Sequence, residues 1–173
     1  IQSFTMIPLW GAGQGFQPAA GTNYGAKQYD RVKQITRAFM IGVTVLSLIF
    51  YIPIQLAPKT ILSWFIKDAG IASQGVTDFR ILFSTYIVLG FVLMVITLMQ
   101  SLGKASKASV LVLMRQIILF VPLAILMPQI GGLGVHGVFL APAVTDLVIL
   151  VLAIVMLTGE FRNLSKLTLK GQR

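Results

Sequence analysis

The chain has 173 residues, 56% of them hydrophobic and only 11% charged, with a formal charge of +9 and a mean hydropathy of +0.86. Soluble domains carry about 25% charged residues, so lipid is the solvent for much of this surface, and a spanning backbone in lipid must be helical or a closed barrel. Nucleic-acid binding is not expected, because the Lys and Arg residues lie between hydrophobic runs, and the absence of cysteine excludes disulfides, thiolate metal sites and cysteine nucleophiles.

Uncharged runs decide between helix and barrel. Ala38 to Pro58 is 21 residues long and Ile81 to Gly103 is 23, whereas a barrel strand needs about 9 to 11 residues of alternating polarity. The expected fold is an all-α, polytopic membrane helix bundle with five spans, approximately 4–24, 38–57, 80–102, 109–128 and 136–158. The opening, IQSFTMIPLWGAGQG, lacks a basic leader and a small-residue cleavage site, and reads as the interior of a longer protein.

The first segment carries Pro8, Pro18 and five glycines, which predicts a broken or kinked helix whose freed backbone groups face protein or a cavity. Gln14 and Gln17 project from nearly one face, with Asn23 about two turns below. Amides at this depth need partners, so the three either bond between helices or line a substrate or water pathway. The Gly11-Ala12-Gly13-Gln14-Gly15 run has the wrong spacing for a nucleotide loop and suits close approach of helices.

Lys27, Arg31, Lys33 and Arg37 follow this segment; Lys104 and Lys107 precede the fourth; Arg162, Lys166, Lys170 and Arg173 follow the fifth. Alternating spans put these ten on one side against Lys59, Lys67 and Arg80 on the other, which predicts a cytoplasmic C-terminus. Residues 60–68, with Trp64 and Phe65 between Lys59 and Lys67, are too short to span and read as an interfacial anchor.

In the fourth segment, Pro122 leaves the Ile118 carbonyl without its usual donor and should bend the helix. Arg115 sits about one and a half turns inside the cytoplasmic end. His136, the sole histidine, lies at the outer mouth of the fifth segment with no second metal ligand nearby, so no metal site is expected. Pro142 likewise releases the Val138 carbonyl and loosens the helix four residues before Asp146. Asp146 lies about ten residues from either end of its span, where an ionised carboxylate costs about 2.5–3.5 kcal/mol on insertion scales unless it is paired or solvated. Three roles stand open for it: an ion pair with Arg115, proton or cation coupling, and a solvated cavity acid.

Three stretches together resemble the C-terminal lobe of MATE (multidrug and toxic compound extrusion) transporters, within the multidrug/oligosaccharidyl-lipid/polysaccharide flippase superfamily. They are Gly13-Gln14-Gly15-Phe16-Gln17-Pro18 running into Asn23-Tyr24-Gly25-Ala26-Lys27 and Asp30-Arg31-Val32; Gln100-Ser101-Leu102-Gly103-Lys104-Ala105; and Arg115-Gln116 with Val121-Pro122-Leu123, Pro128, Gly134-Val135-His136-Gly137-Val138, Pro142 and Asp146. The resemblance runs in order along essentially the whole chain. It implies a twelve-helix transporter of two lobes in the plasma membrane, with the five segments as helices eight to twelve. It further implies export of cationic amphipathic compounds in exchange for sodium ions or protons, with no cofactor, and dependence on an N-terminal lobe not contained in this chain.

Family members with a cation site in this lobe place acids on the seventh and tenth helices; the seventh is not represented, and segment 80–102 contains no Asp or Glu. Gln14, Gln17, Asn23 and Asp146 therefore remain as pathway residues, Arg115 as an ion-pair partner, and Pro18, Pro122 and Pro142 as helix kinks. The competing readings are a lipid-linked oligosaccharide flippase, whose cavity would want several cations where only Arg115 is available, and a structural membrane subunit. An enzyme is not expected, since one acid and one histidine at different depths form no catalytic cluster.

Overall fold

The computed structural model describes residues 1–171, and Arg173 of the third basic cluster lies outside the described residues. Helix α1 spans Gln2–Gly25 and α2 spans Tyr29–Leu56. Two short helices follow, α3 (Pro58–Ser63) and α4 (Ala69–Gln74), the latter capped by Asp68 through the amides of Gly70 and Ile71. The third apolar segment is divided into α5 (Val76–Phe83) and α6 (Tyr86–Ser101). The fourth comprises α7 (Ala105–Leu113), a π-helical turn over Met114–Leu119, α8 (Phe120–Leu126) and a 3-10 turn over Met127–Gln129. The last helix, α9, runs Val135–Gly171 and continues well beyond the expected end of its apolar span.

Four of these stretches are long and apolar enough to cross a membrane: Tyr29–Leu56, Val76–Ser101, Ala105–Gln129 and Val135–Lys170. Helix α1 differs from expectation in one respect and narrows it in another. It has 24 residues, enough for a crossing at about 1.5 Å per residue, yet it is not among the four, because its glycines, prolines and amides dilute its apolar content. Of the two forms expected, broken or kinked, it is not the broken one: the helix passes through Pro8 and Pro18 without interruption. Each proline removes one ladder bond, here those to the Phe4 and Gln14 carbonyls, and the rest of the ladder carries the helix across.

Helix α6 occupies the centre. Leu9, Phe16 and Ala20 of α1 and Val32 and Val43 of α2 pack with Met94 and Leu98 on one side of it. Val92, Val95 and Met99 pack with Ala108 and Leu111 of α7 and Ile149 and Ala153 of α9 on another. A helix apolar all round is expected to be enclosed. Between apolar helices in lipid, contact is set by side-chain fit and small residues. A Cβ at Gly90 would lie 2.7 Å from Ser47 Oγ and 2.9 Å from Val43 Cγ1, so Gly90 is what lets α2 approach α6. Within the glycine-rich run no Cβ would clash: one at Gly13 would meet Thr97 Oγ1 at 3.4 Å and one at Gly15 would meet Phe39 Cε1 at 3.9 Å, both ordinary contacts, and Gly11 faces open space.

Large apolar side chains face outward in long stripes, including Ile41, Val45, Ile49 and Ile52 on α2 and Val148, Val151 and Val155 on α9. That inversion of the soluble pattern is what a lipid solvent requires. The helix ends sort as alternating crossings demand. At one end Lys33 reaches Ser165 at 3.0 Å, the Arg37 guanidinium lies 5.8 Å from the Phe161 ring centroid, and Lys104 and Lys107 converge on Glu160. At the other, Gln55 donates to the Arg80 carbonyl at 3.1 Å and His136 pairs with Asp78. Trp64 and Phe65 are exposed there in the turn after α3.

Candidate functional site

A cleft of about 290 Å3 opens between α1, α6 and the fourth segment, at the small end of the roughly 300–1,000 Å3 range of ligand pockets. Its apolar wall includes Trp10, Met6 and Leu93, and its polar residues are Gln14, Gln17, Thr97, Gln100, Gln116 and Arg115. The two glutamines of α1 thus do share a face, and that face lines the cleft. Asn23 does not join them. Its Nδ2 donates to the Ala19 carbonyl one turn back, an i−4 contact that turns the amide onto its own helix.

Behind the Arg115 wall lies the carboxylate of Asp146, whose side chain is 2% exposed. Arg115 Nε donates to Asp146 Oδ1 at 2.8 Å, and Thr85 Oγ1 donates to Asp146 Oδ2 at 2.8 Å. Both carboxylate oxygens are therefore occupied, and of the expected roles the ion pair is the one the geometry displays. Arg115 spans two environments: one nitrogen holds the buried acid, while the side chain, 25% exposed, forms part of the cleft.

Two local irregularities create this arrangement. The α-helical pattern lapses at Ser84–Thr85 between α5 and α6, and Ser84 Oγ caps the Ile81 carbonyl at 2.7 Å, which leaves Thr85 free to turn toward α9. Arg115 stands in the π turn Met114–Leu119, just ahead of Pro122. A π turn carries an extra residue per turn and redirects its side chains, and such turns concentrate at functional sites. The chain stays helical through Pro122 and Pro142, with the π turn ending three residues before Pro122.

Thr85→Val keeps the shape but removes the hydroxyl. A hydrogen bond to a charged group contributes about 1.5–3 kcal/mol, so thermal unfolding of the purified protein should move down by several degrees; an unchanged midpoint would show that Thr85 adds nothing to holding Asp146.

A second buried acid was not anticipated. Glu160, 2% exposed, accepts from Lys104 and lies 3.5 Å from Lys107, with Asn163 Nδ2 at 3.4 Å. It ties the α6–α7 connection to α9. His136, expected to have no second ligand nearby, is paired with the Asp78 carboxylate while staying exposed, because the fold brings α5 against the start of α9. Among the described residues there is no group of three or more His, Cys, Asp or Glu that could hold a metal ion.

The MatE family model matches residues 1–126, a stretch that contains Gln14, Gln17, Thr85 and Arg115. The chain belongs to the MatE family. It is a multi-pass membrane protein with the fold of MATE transporters. The MATE multidrug transporter DinF-BH is similar with a TM-score of 0.85 and 34% identity over 94% of this chain and 36% of its own. An inward-facing MATE family transporter of the MOP superfamily shares the fold at a TM-score of 0.86 and 17% identity, over 95% of this chain and 38% of its own. In sequence the chain is similar to the FAD transporter of Shewanella oneidensis, at 26% identity over 147 residues, which are 85% of this chain and 32% of that protein. The chain spans about a third of the length of these relatives.

Proposed function

We propose that this MatE-family chain supplies the C-terminal lobe of a secondary active efflux antiporter in the plasma membrane, with its C-terminus in the cytoplasm. The proposed cargo is an amphipathic organic cation, exchanged for protons or sodium ions. The observation that carries the reading is one wall of the cleft: amides of Gln14, Gln17 and Gln116 beside Trp10, with Arg115 held back by the buried Asp146. Amides offer both donors and acceptors without fixed charge, and an indole face attracts cations. They suit varied cationic cargo.

The pair also offers a coupling chemistry. While Asp146 is ionised it neutralises Arg115, and the cleft wall carries no net charge. A proton or cation taken up at Asp146 frees the Arg115 charge, which disfavours a bound cation and favours its release. Loss of that proton restores the pair and readmits cargo. The orientation rests on the basic clusters, which are gathered at one end of the bundle.

A second reading has its own support. Arg115 in the wall and the likeness to a FAD transporter fit an anionic, ring-bearing cargo, whose phosphates would take the place of Asp146 on the guanidinium. Cells lacking their own efflux pumps and expressing the complete transporter distinguish the two. Retention of a lipophilic cationic dye should fall, and Gln14→Ala with Gln17→Ala should restore it, since two hydrogen bonds of about 1 kcal/mol each amount to more than tenfold in affinity. Unchanged dye retention together with raised extracellular FAD would replace the cation reading by the anionic one.

A further inference from the structure

We propose that the groove between α2 and α9 at the basic end of the bundle is a binding site for the phosphate headgroup of an anionic phospholipid. Lys33 and Arg37 of α2 face Arg162 and Lys166 of α9 across it, and Leu157 and Phe161 form an apolar floor. Four cations brought together from two helices repel one another unless an anion joins them. The acids nearby are already engaged or limited. Asp30 pairs with Lys33 at 2.7 Å, and Glu160 is turned away into the Lys104 and Lys107 cluster. Among the described residues, Arg37, Arg162 and Lys166 have no carboxylate within ion-pair distance.

Depth selects lipid over a soluble phosphate. Arg37 is the last charge before the uncharged run Ala38–Pro58, and Leu157 closes the apolar part of α9. The groove therefore straddles the boundary between acyl chains and headgroups, where cations meet phosphate and Leu157 and Phe161 meet the first methylenes. Basic pockets between helices on the cytoplasmic side hold anionic headgroups by this combination. The guanidinium of Arg37, resting on the Phe161 ring, is prepositioned with its donors still available.

The test uses the complete transporter in nanodiscs of phosphatidylcholine, alone or with a minor fraction of phosphatidylglycerol. Native mass spectrometry counts retained lipid, and the thermal midpoint is read in parallel. The wild-type protein should retain phosphatidylglycerol and melt higher in its presence. The variant Arg37→Gln/Arg162→Gln/Lys166→Gln should lose retention by roughly fivefold for each charge removed, from about 1 kcal/mol per cation. The variant Lys27→Gln/Arg31→Gln/Lys170→Gln removes the same net charge outside the groove and should behave as wild type. If the groove variant does not fold, Lys166→Gln alone, at an exposed position, should still lose roughly fivefold. Equal losses in the two triple variants, no selective retention by the wild type, or equal protection by soluble glycerol phosphate would overturn the proposal.

Discussion

Arg115→Ala should destabilise the protein by about 3 kcal/mol, because it strands the Asp146 carboxylate in a site with only Thr85 left to bond it. The reverse change costs less. Asp146→Ala leaves Arg115 without its anion, but the guanidinium already lines the cleft and can be hydrated there. The double variant should recover most of the loss, since neither charge is then left alone. Thermal unfolding of the four proteins in one detergent gives the coupling directly. Equal losses for the two single variants that add in the double would show that the pair is not a coupled buried unit.

Gly137→Ala should be comparably damaging for a different reason. A Cβ there would lie 2.6 Å from the Met127 carbonyl carbon and 2.6 Å from Pro128 N. Overpacking ordinarily costs about 1–3 kcal/mol, and here the obstacle is backbone, which cannot rotate away as a side chain does. The turn between α8 and α9 has little slack, because Gly131, Gly132 and Gly134 all hold positive φ, at 59°, 73° and 51°. The substituted helix must therefore tilt as a whole, and Asp146 sits less than three turns along it. Reduced yield of folded protein and a lower thermal midpoint are expected; wild-type stability would mean that the α8–α9 corner is looser than its geometry indicates.

What the sequence disclosed and what it hid follow one physical division. Hydropathy and charge are properties of runs, and they located the four long apolar helical stretches, grouped the basic clusters at one end and singled out Asp146 with Arg115 as its partner. Thr85 was invisible because the apolar run continues across Ser84–Thr85, so nothing in composition marks the point where the helix lapses. Pro122 signalled an irregularity, but not that a π turn just before it would carry Arg115. Asn23 was grouped with the glutamines by spacing alone, and a short amide can close on its own backbone where a glutamine reaches outward. Glu160 passed unnoticed among cations beyond the expected end of the span, although a single acid beside Arg162 and opposite Lys104 was the available signal. The prolines of α1 suggested a broken or kinked helix, and the helix continues through both of them, because a proline removes one ladder bond and leaves the others in place.

The coupling role proposed for the Asp146–Arg115 pair is most directly tested by Asp146→Asn in the complete transporter. The amide keeps the size of the side chain and an oxygen for Thr85 or Arg115, but can neither carry the charge nor take up a proton or cation. Drug resistance should fall toward that of cells without the transporter, while the amount of protein in the membrane stays at the wild-type level. Resistance unchanged at equal expression would contradict a part for Asp146 in transport and leave the pair a structural tie between α9 and the cleft wall.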